Sequence, residues 1–284
     1  MAIVTIGIPF YNAERYLADA IRSVINQSYS DWFLVLLNDG STDNSLAIAR
    51  SFECNRIRVI SDGVNRGLVF RLNQLSQLST SLYYARMDAD DVMHRDRLSI
   101  QISYLEDHPD VDVVGTGVYY INDINQVYGK GYAVSAAQTK KDALYGKNFY
   151  HPTIMGRTDW FRHNPYDEKA LRMEDYELWV RTVEDSKFAN IDMPLYFYRE
   201  AGLPYLDKYL LSQKGIRDVL RKELNGLEKH WMLLRNYSKC VIFSIITCLK
   251  LQKYFLRHKH PVLTEKECKI ADYFLKESVA SIQL

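Results

Sequence analysis

Asp88, Asp90 and Asp91 crowd three carboxylates into four residues, directly after the strand-like run 82–87. Carboxylates this close repel one another unless a cation or hydrogen bonds compensate. A hard divalent cation answers that need: Mg2+ or Mn2+ takes one or two carboxylates and fills its shell with water and a substrate diphosphate. A solvated acidic turn capping the next helix would have the same spacing, and the residues alone leave both readings open. Asn38-Asp39-Gly40-Ser41-Thr42-Asp43 follows the apolar run 32–37. There Asp39 can accept from a base N–H or a ribose hydroxyl, Gly40 supplies the turn, and Ser41 or Asp43 can cap the next helix. Pro9-Phe10-Tyr11-Asn12-Ala13-Glu14 follows the first apolar run. Tyr11 could lie against a nucleobase or be buried in an ordinary strand-turn-helix, and Asn12 is expected to cap the helix. Glu174-Asp175 opens a predicted helix over 174–183, where the helix dipole favours ionised carboxylates and is itself a sufficient reason for the pair.

These clusters need elements to hold them. Runs 3–9, 32–37, 56–60, 82–87 and 111–118 read as strands, separated by helical patterns. In the first helix Tyr16, Leu17, Ala20, Ile21, Val24 and Ile25 recur at helical spacing. Alternating strands and helices predict right-handed crossovers and a mostly parallel sheet covered on both faces. Ligands in such sheets sit beyond the carboxyl ends of the strands, so the three polar clusters should converge on one crevice. After Tyr119 the alternation stops: 119–133 reads as a hairpin, 139–145 as a short helix, 151–156 and 188–198 as extended, the latter broken by Pro194. From Pro204 the chain is expected to be helical to the end.

Charge is balanced, with 36 Lys+Arg against 35 Asp+Glu, which argues against a nucleic-acid partner. Cys54, Cys240, Cys248 and Cys268 have no metal-ligand spacing and read as reduced, mostly buried thiols. No basic, apolar leader precedes the first strand, which favours the cytosolic side. From Lys229 to Thr264 there is no acidic residue, while Lys229, Arg235, Lys239, Lys250, Lys253, Arg257 and Lys259 are basic. The apolar run 240–249 inside it is too short to span a bilayer. Such a segment suits the surface of an anionic cytoplasmic leaflet; packing against the rest of the chain or a second subunit is the alternative.

Six segments in order resemble the family 2 glycosyltransferases over roughly residues 1–200. Pro9 to Glu14 is similar to the opening P-x-Y-N-x-E motif, and 37–43 to D-D-G-S-x-D, with Asn38 in place of the first, often acidic residue. Asn65-Arg66-Gly67-Leu68 with Leu72-Asn73 resembles N-x-G-L…L-N, and Asp88 to Asp91 resembles D-x-D-D. His151-Pro152-Thr153 resembles H-P-[ST], and 174–179 resembles E-D-x-x-L-W.

The resemblance implies an α/β GT-A (Rossmann-like) catalytic domain over 1–200, with a helical, basic and apolar C-terminal extension over 201–284. It implies that Pro9, Tyr11 and Asp39 hold the base, usually uracil, and Asp88 the ribose or a metal-bound water. Asp90 would ligate Mn2+ or Mg2+, and Asp175 would take the proton from the acceptor hydroxyl in a single, inverting displacement. The expected partners are a nucleotide sugar and a glycan or lipid-linked glycan in cell-surface polysaccharide synthesis. The expected location is cytoplasmic, peripheral on the inner membrane face. His151 could touch the diphosphate or the acceptor, or be structural; Arg66 and Arg71 are expected to be solvated at the surface. The competing functions are a nucleotidyltransferase making nucleotide sugars, which would want a Gly-rich phosphate loop after the first strand, and a catalytically silent sugar-nucleotide or glycan-binding protein.

Overall fold

The computed structural model describes residues 2–170, 172–200, 205–252, 261 and 263–281. Three crossovers build its first half: β1 (Val4–Phe10), α1 (Leu17–Ile25), β2 (Trp32–Asn38), α2 (Ser45–Ser51), β3 (Ile57–Ser61), α3 (Leu68–Leu78) and β4 (Tyr83–Arg86). Every residue of β1 is buried, as a strand flanked on both sides and covered on both faces requires. β3, β2, β1 and β4 lie side by side, all parallel. Pro9 is tolerated in this central strand because β4 pairs β1 only as far as Gly7.

Beyond β4 the sheet becomes mixed. The short strand β5 (Val92–Met93) and α4 (Arg97–Asp107) lead into β6 (Val113–Ile121), which turns back as a hairpin with β7 (Val127–Gly131). After α5 (Lys140–Leu144) comes a single 3-10 turn over His151–Thr153, then β8 (Met155–Arg157), α6 (Thr158–His163), α7 (Glu174–Thr182) and β9 (Phe188–Arg199). β8 wedges antiparallel between β4 and β6, β9 runs parallel to β6, and β5 pairs antiparallel with β9. The expected break at Pro194 is a register slip instead: Pro194 faces Gly117, and the strand continues to Arg199. The three-residue β8 escaped the sequence reading because nothing so short carries a periodicity.

Two apolar layers sandwich the sheet. Leu17, Ala20, Ile21 and Val24 of α1 join Leu98, Ile102 and Leu105 of α4 on one face. Leu72 and Leu75 of α3 join Phe161 and Trp179 on the other. Two long helices follow, α8 (Leu206–Glu223) and α9 (Gly226–Cys248), packed on each other. Then α10 (Glu265–Val279) returns to the sheet, where Ala271 and Leu275 bury against Val92, Ile121 and Phe197. None of the described helices is long and apolar enough to cross a membrane.

Two local expectations are corrected. Asn12 does not cap α1, which begins five residues later; it adopts a left-handed backbone (φ 49°), and its Oδ1 accepts from Thr42 N at 2.8 Å. The cysteines are free, as expected, yet Cys54 and Cys248 are exposed and the other two only partly covered. Cys54 falls in the turn before β3 and Cys248 at the end of α9, where no neighbouring layer covers them.

Candidate active site

The first three polar clusters meet at the carboxyl ends of β1, β2 and β4. Tyr11 stands at the rim, 49% exposed, while Pro9 is buried opposite Leu37. Asp39 N donates to Phe10 O at 2.8 Å, holding the two strand ends together. The Asp39 carboxylate is buried and accepts from Arg66 N (2.7 Å), Gly67 N (3.0 Å) and Arg71 Nε (2.8 Å). A carboxylate has about four lone-pair sites, so one remains for a further donor. Arg71, expected at the surface, is buried; its guanidinium also pairs with Asp62 and donates to Val64 O. Arg66 is half exposed and pairs with Asp62. Asn38 accepts from Ser41 N and donates to Ser61, so an amide serves this position where an acid cannot donate.

Gly40 is the tightest point of this wall. Its φ is +74°, and a Cβ there would lie 2.8 Å from Asn65 N and 2.9 Å from Val64 C, both backbone atoms. Gly40→Ala is therefore expected to cost about 1–3 kcal/mol in urea unfolding, through strain that no side-chain rotation relieves. An unchanged unfolding midpoint would show that the 64–67 loop moves freely and is not clamped by Asp39.

The acidic cluster is arranged unequally. Oxygens of Asp88, Asp90 and Asp91 lie within 4.8 Å of one another. Asp88 is gripped by Arg86, whose two terminal nitrogens donate at 2.8 and 2.6 Å. Asp91 is buried and accepts from Arg199 N at 2.7 Å. Asp90 alone of the three is classed as exposed. Even so, desolvation by the surrounding protein and repulsion from Asp88 push its carboxyl up to about 6. Burial and both neighbours raise Asp91 further. Arg86 offsets only part of the negative charge on these hard oxygen ligands, and what remains fits a divalent cation. Arg199 fastens the loop from the other side. Its Nε donates to Asp90 O, its terminal nitrogens to Asn122 O and Asn125 Oδ1, and its guanidinium lies 4.1 Å from the Tyr16 ring centroid.

The Glu174–Asp175 pair lies near enough to this centre to feel the charges of Arg86 and Asp88. Burial and repulsion from Asp175 raise Glu174 to about 7, and Asp88 adds to the repulsion while Arg86 opposes it. Asp175 accepts from Tyr176 N at 2.8 Å; burial raises its pKa, Tyr176 N and Arg86 oppose the rise, and Asp88 adds to it. Arg86 is itself buried, and its neighbouring acids hold its charge firmly despite the burial. His151 shares a 2.9 Å hydrogen bond with the Tyr166 hydroxyl, and burial, then Arg86, drives its pKa well below 6.5. A neutral imidazole in that place carries no positive charge to a diphosphate.

The profile of Glycosyl transferase family 2 matches residues 5–173. The chain belongs to this family. It is 36% identical to Bacillus subtilis EpsE over 204 residues, covering 69% of this chain and 73% of the relative. It is 26% identical over 235 residues to the Escherichia coli UDP-Glc:alpha-D-GlcNAc-diphosphoundecaprenol beta-1,3-glucosyltransferase WfgD, covering 83% and 86% of the two chains. Among solved structures, Staphylococcus aureus TarS in complex with UDP-GlcNAc superposes with a TM-score of 0.60 at 18% identity, over 82% of this chain and 71% of that one. The mannosyltransferase PcManGT of Pyrobaculum calidifontis, in complex with GDP-Man and Mn2+, gives 0.58 at 15%, over 98% and 86%. These neighbours establish the GT-A fold.

For this family 2 transferase, three residues of the centre were not singled out from sequence: Arg86, Arg199 and Tyr166. Arg86 ends β4 two positions before Asp88, a spacing that in extended chain puts both on one face and could have flagged it. Arg199 and Tyr166 have no such signal, since each reaches the site from a different fold element. Asn73, quoted for its motif, turns out to bind both the N–H and the C=O of Tyr166, at 2.8 and 3.0 Å.

Proposed function

We propose that this family 2 glycosyltransferase moves a sugar from a nucleotide-diphosphate donor, a UDP-sugar, to a glycan or lipid-linked glycan, with inversion. The observation that carries this reading is the Asp88–Arg86–Glu174/Asp175 cluster: a metal-type acidic triad stands close enough to a second, base-type carboxylate pair for the Asp88 charge to raise both of its members. Pro9, Tyr11 and the remaining lone pair of Asp39 would hold the base. Asp88 would take the ribose or a metal-bound water, Asp90 would ligate the metal, and Asp175 would accept the acceptor's proton. Mn2+ or Mg2+ held there would offset the charge that builds on the departing diphosphate. WfgD, by its name, uses UDP-Glc and a diphosphoundecaprenol-linked sugar, which supports donor and acceptor of these classes. Family membership removes the nucleotidyltransferase alternative.

A panel of nucleotide sugars tests the reading. One UDP-sugar with Mn2+ should raise the Tm and be slowly hydrolysed, and EDTA should abolish both effects. The Mn2+ effect also has a pH sign. A carboxyl whose folded pKa is raised stabilises the fold while protonated and loses that contribution as pH climbs through about 6. The cation replaces the proton, so the Mn2+-induced Tm gain should be larger near pH 7.5 than near pH 5. Hydrolysis that persists unchanged in EDTA would end the metal assignment; failure of every nucleotide sugar to bind would end the donor assignment.

The location proposed is the inner membrane face. On α9 the residues Trp231, Leu234, Val241 and Ile245 are exposed at helical spacing, followed by exposed Leu249, in a segment without acids. Lys253, Arg257 and Lys259 of that segment lie outside the described residues. An amphipathic cationic helix binds anionic headgroups and inserts its apolar stripe shallowly. The protein should float with phosphatidylglycerol liposomes at low salt and not with phosphatidylcholine alone. Leu234→Glu with Ile245→Glu should leave it in the pellet fraction; equal flotation of that double variant would rule out the stripe.

A further inference from the structure

Asp175 also lines a cavity of about 300 Å³, whose far wall is formed by the α8–α9 pair. Leu220 and Met232 form part of its apolar floor, and Asn148 and Gln213 are among its polar lining. Arg235 and Lys239, one turn apart on α9, line it as exposed cations. Among the described residues neither has a carboxylate partner; Arg235 only leans over the Trp231 ring, 5.6 Å from its centroid and inside the reach of about 6 Å of such contacts. A cavity for a neutral glycan has no use for two unpaired cations one turn apart. The apolar stripe of α9 begins on the same helix, with Trp231 and Leu234 directly preceding Arg235.

We propose that this cavity is the acceptor subsite and that it takes a saccharide carried on an alkyl phosphate or diphosphate. The sugar hydroxyl meets Asp175, the phosphate meets Arg235 and Lys239, and the alkyl chain leaves along α9. No bond is made or broken at the two cations; they only bind and orient. The inference rests on the assignment of Asp175 as acceptor-side base, and the two fail separately. If Asp175→Asn transfers sugar normally, the base assignment falls while phosphate binding at α9 stands. If phosphate binding is indifferent to the two cations, the subsite falls while the base assignment stands.

The probe is decyl phosphate, titrated calorimetrically in EDTA so that no metal on the donor side can hold it. Arg235→Gln with Lys239→Gln should weaken binding at least about tenfold, since each charge-assisted contact is worth roughly that much. Both side chains are exposed, so an unchanged Tm shows the fold is intact. The charge-keeping pair Arg235→Lys with Lys239→Arg should retain most of the affinity. Glycerol phosphate should bind clearly more weakly than decyl phosphate to the wild type. Decyl phosphate affinity unchanged in the Gln pair would overturn the subsite; equal affinity for glycerol phosphate would overturn its alkyl part and assign a soluble sugar phosphate instead.

Discussion

Asp175→Asn is expected to lower kcat for sugar transfer by roughly 10²–10⁴, the usual worth of a general base, with UDP affinity changed by no more than about twofold. The isosteric amide still accepts from Tyr176 N through Oδ1, so the first turn of α7 keeps its geometry. What disappears is the site for the proton. A base must be ionised to act, so wild-type transfer should fall as pH drops through the raised pKa of the pair, and the variant should lose that acid limb. Stability should move the other way. Burial raises both Glu174 and Asp175, with Asp175 adding to the rise at Glu174 and Asp88 to the rise at both, so ionising them at neutral pH costs stability. Removing one charge should hold the Tm or increase it, which separates lost chemistry from lost fold. Stopped-assay kinetics beside thermal melts across pH decide the matter; normal transfer by the variant would refute the role, and a catalytically silent binder would show no transfer in the wild type either.

Asp90→Ala is expected to remove the Mn2+-dependent Tm gain and to reduce kcat/KM by roughly 10²–10³, several kcal/mol at 1.4 kcal/mol per decade. Asp88 and Asp91 cannot stand in for it. Arg86 occupies both oxygens of Asp88, and Asp91 is buried against Arg199 N. Without metal, the variant should melt no lower than the wild type above pH 6, because the lost carboxylate was pushed to about 6 by desolvation and by Asp88. Melting with and without Mn2+, with UDP-sugar titrations, provides the check. A full Mn2+ response in Asp90→Ala would move the metal elsewhere.

The parallel half of the fold was legible because its strands are long, apolar and punctuated. Val4–Phe10 and Trp32–Asn38 each end in a polar turn, and the rule that ligands gather at such ends located three clusters correctly. The mixed half was not, because β5 and β8 are two and three residues long and are defined by their partners. At the site, acids are visible in sequence because their repulsion asks for an explanation. Their counter-charges are less so: Arg71 reads as one more surface arginine until Asp39 and Asp62 are seen around it. Asn12 misled for a related reason, since a good capping side chain was claimed by Thr42 from another loop.

The return of α10 bears on how the chain is made. Asn26, near the beginning, donates through its amide to Ser278 O and Ala280 O at 2.9 and 3.0 Å, and Lys130 and Arg95 pair with Glu267 and Glu277. The apolar patch formed by Val92, Ile121 and Phe197 waits for Ala271 and Leu275 to cover it. On the ribosome the first two hundred residues emerge with that patch bare until Glu265–Val279 has been translated. Folding of the catalytic sheet is thus finished only when α10 arrives, and a truncation before Glu265 should leave an apolar patch open to association.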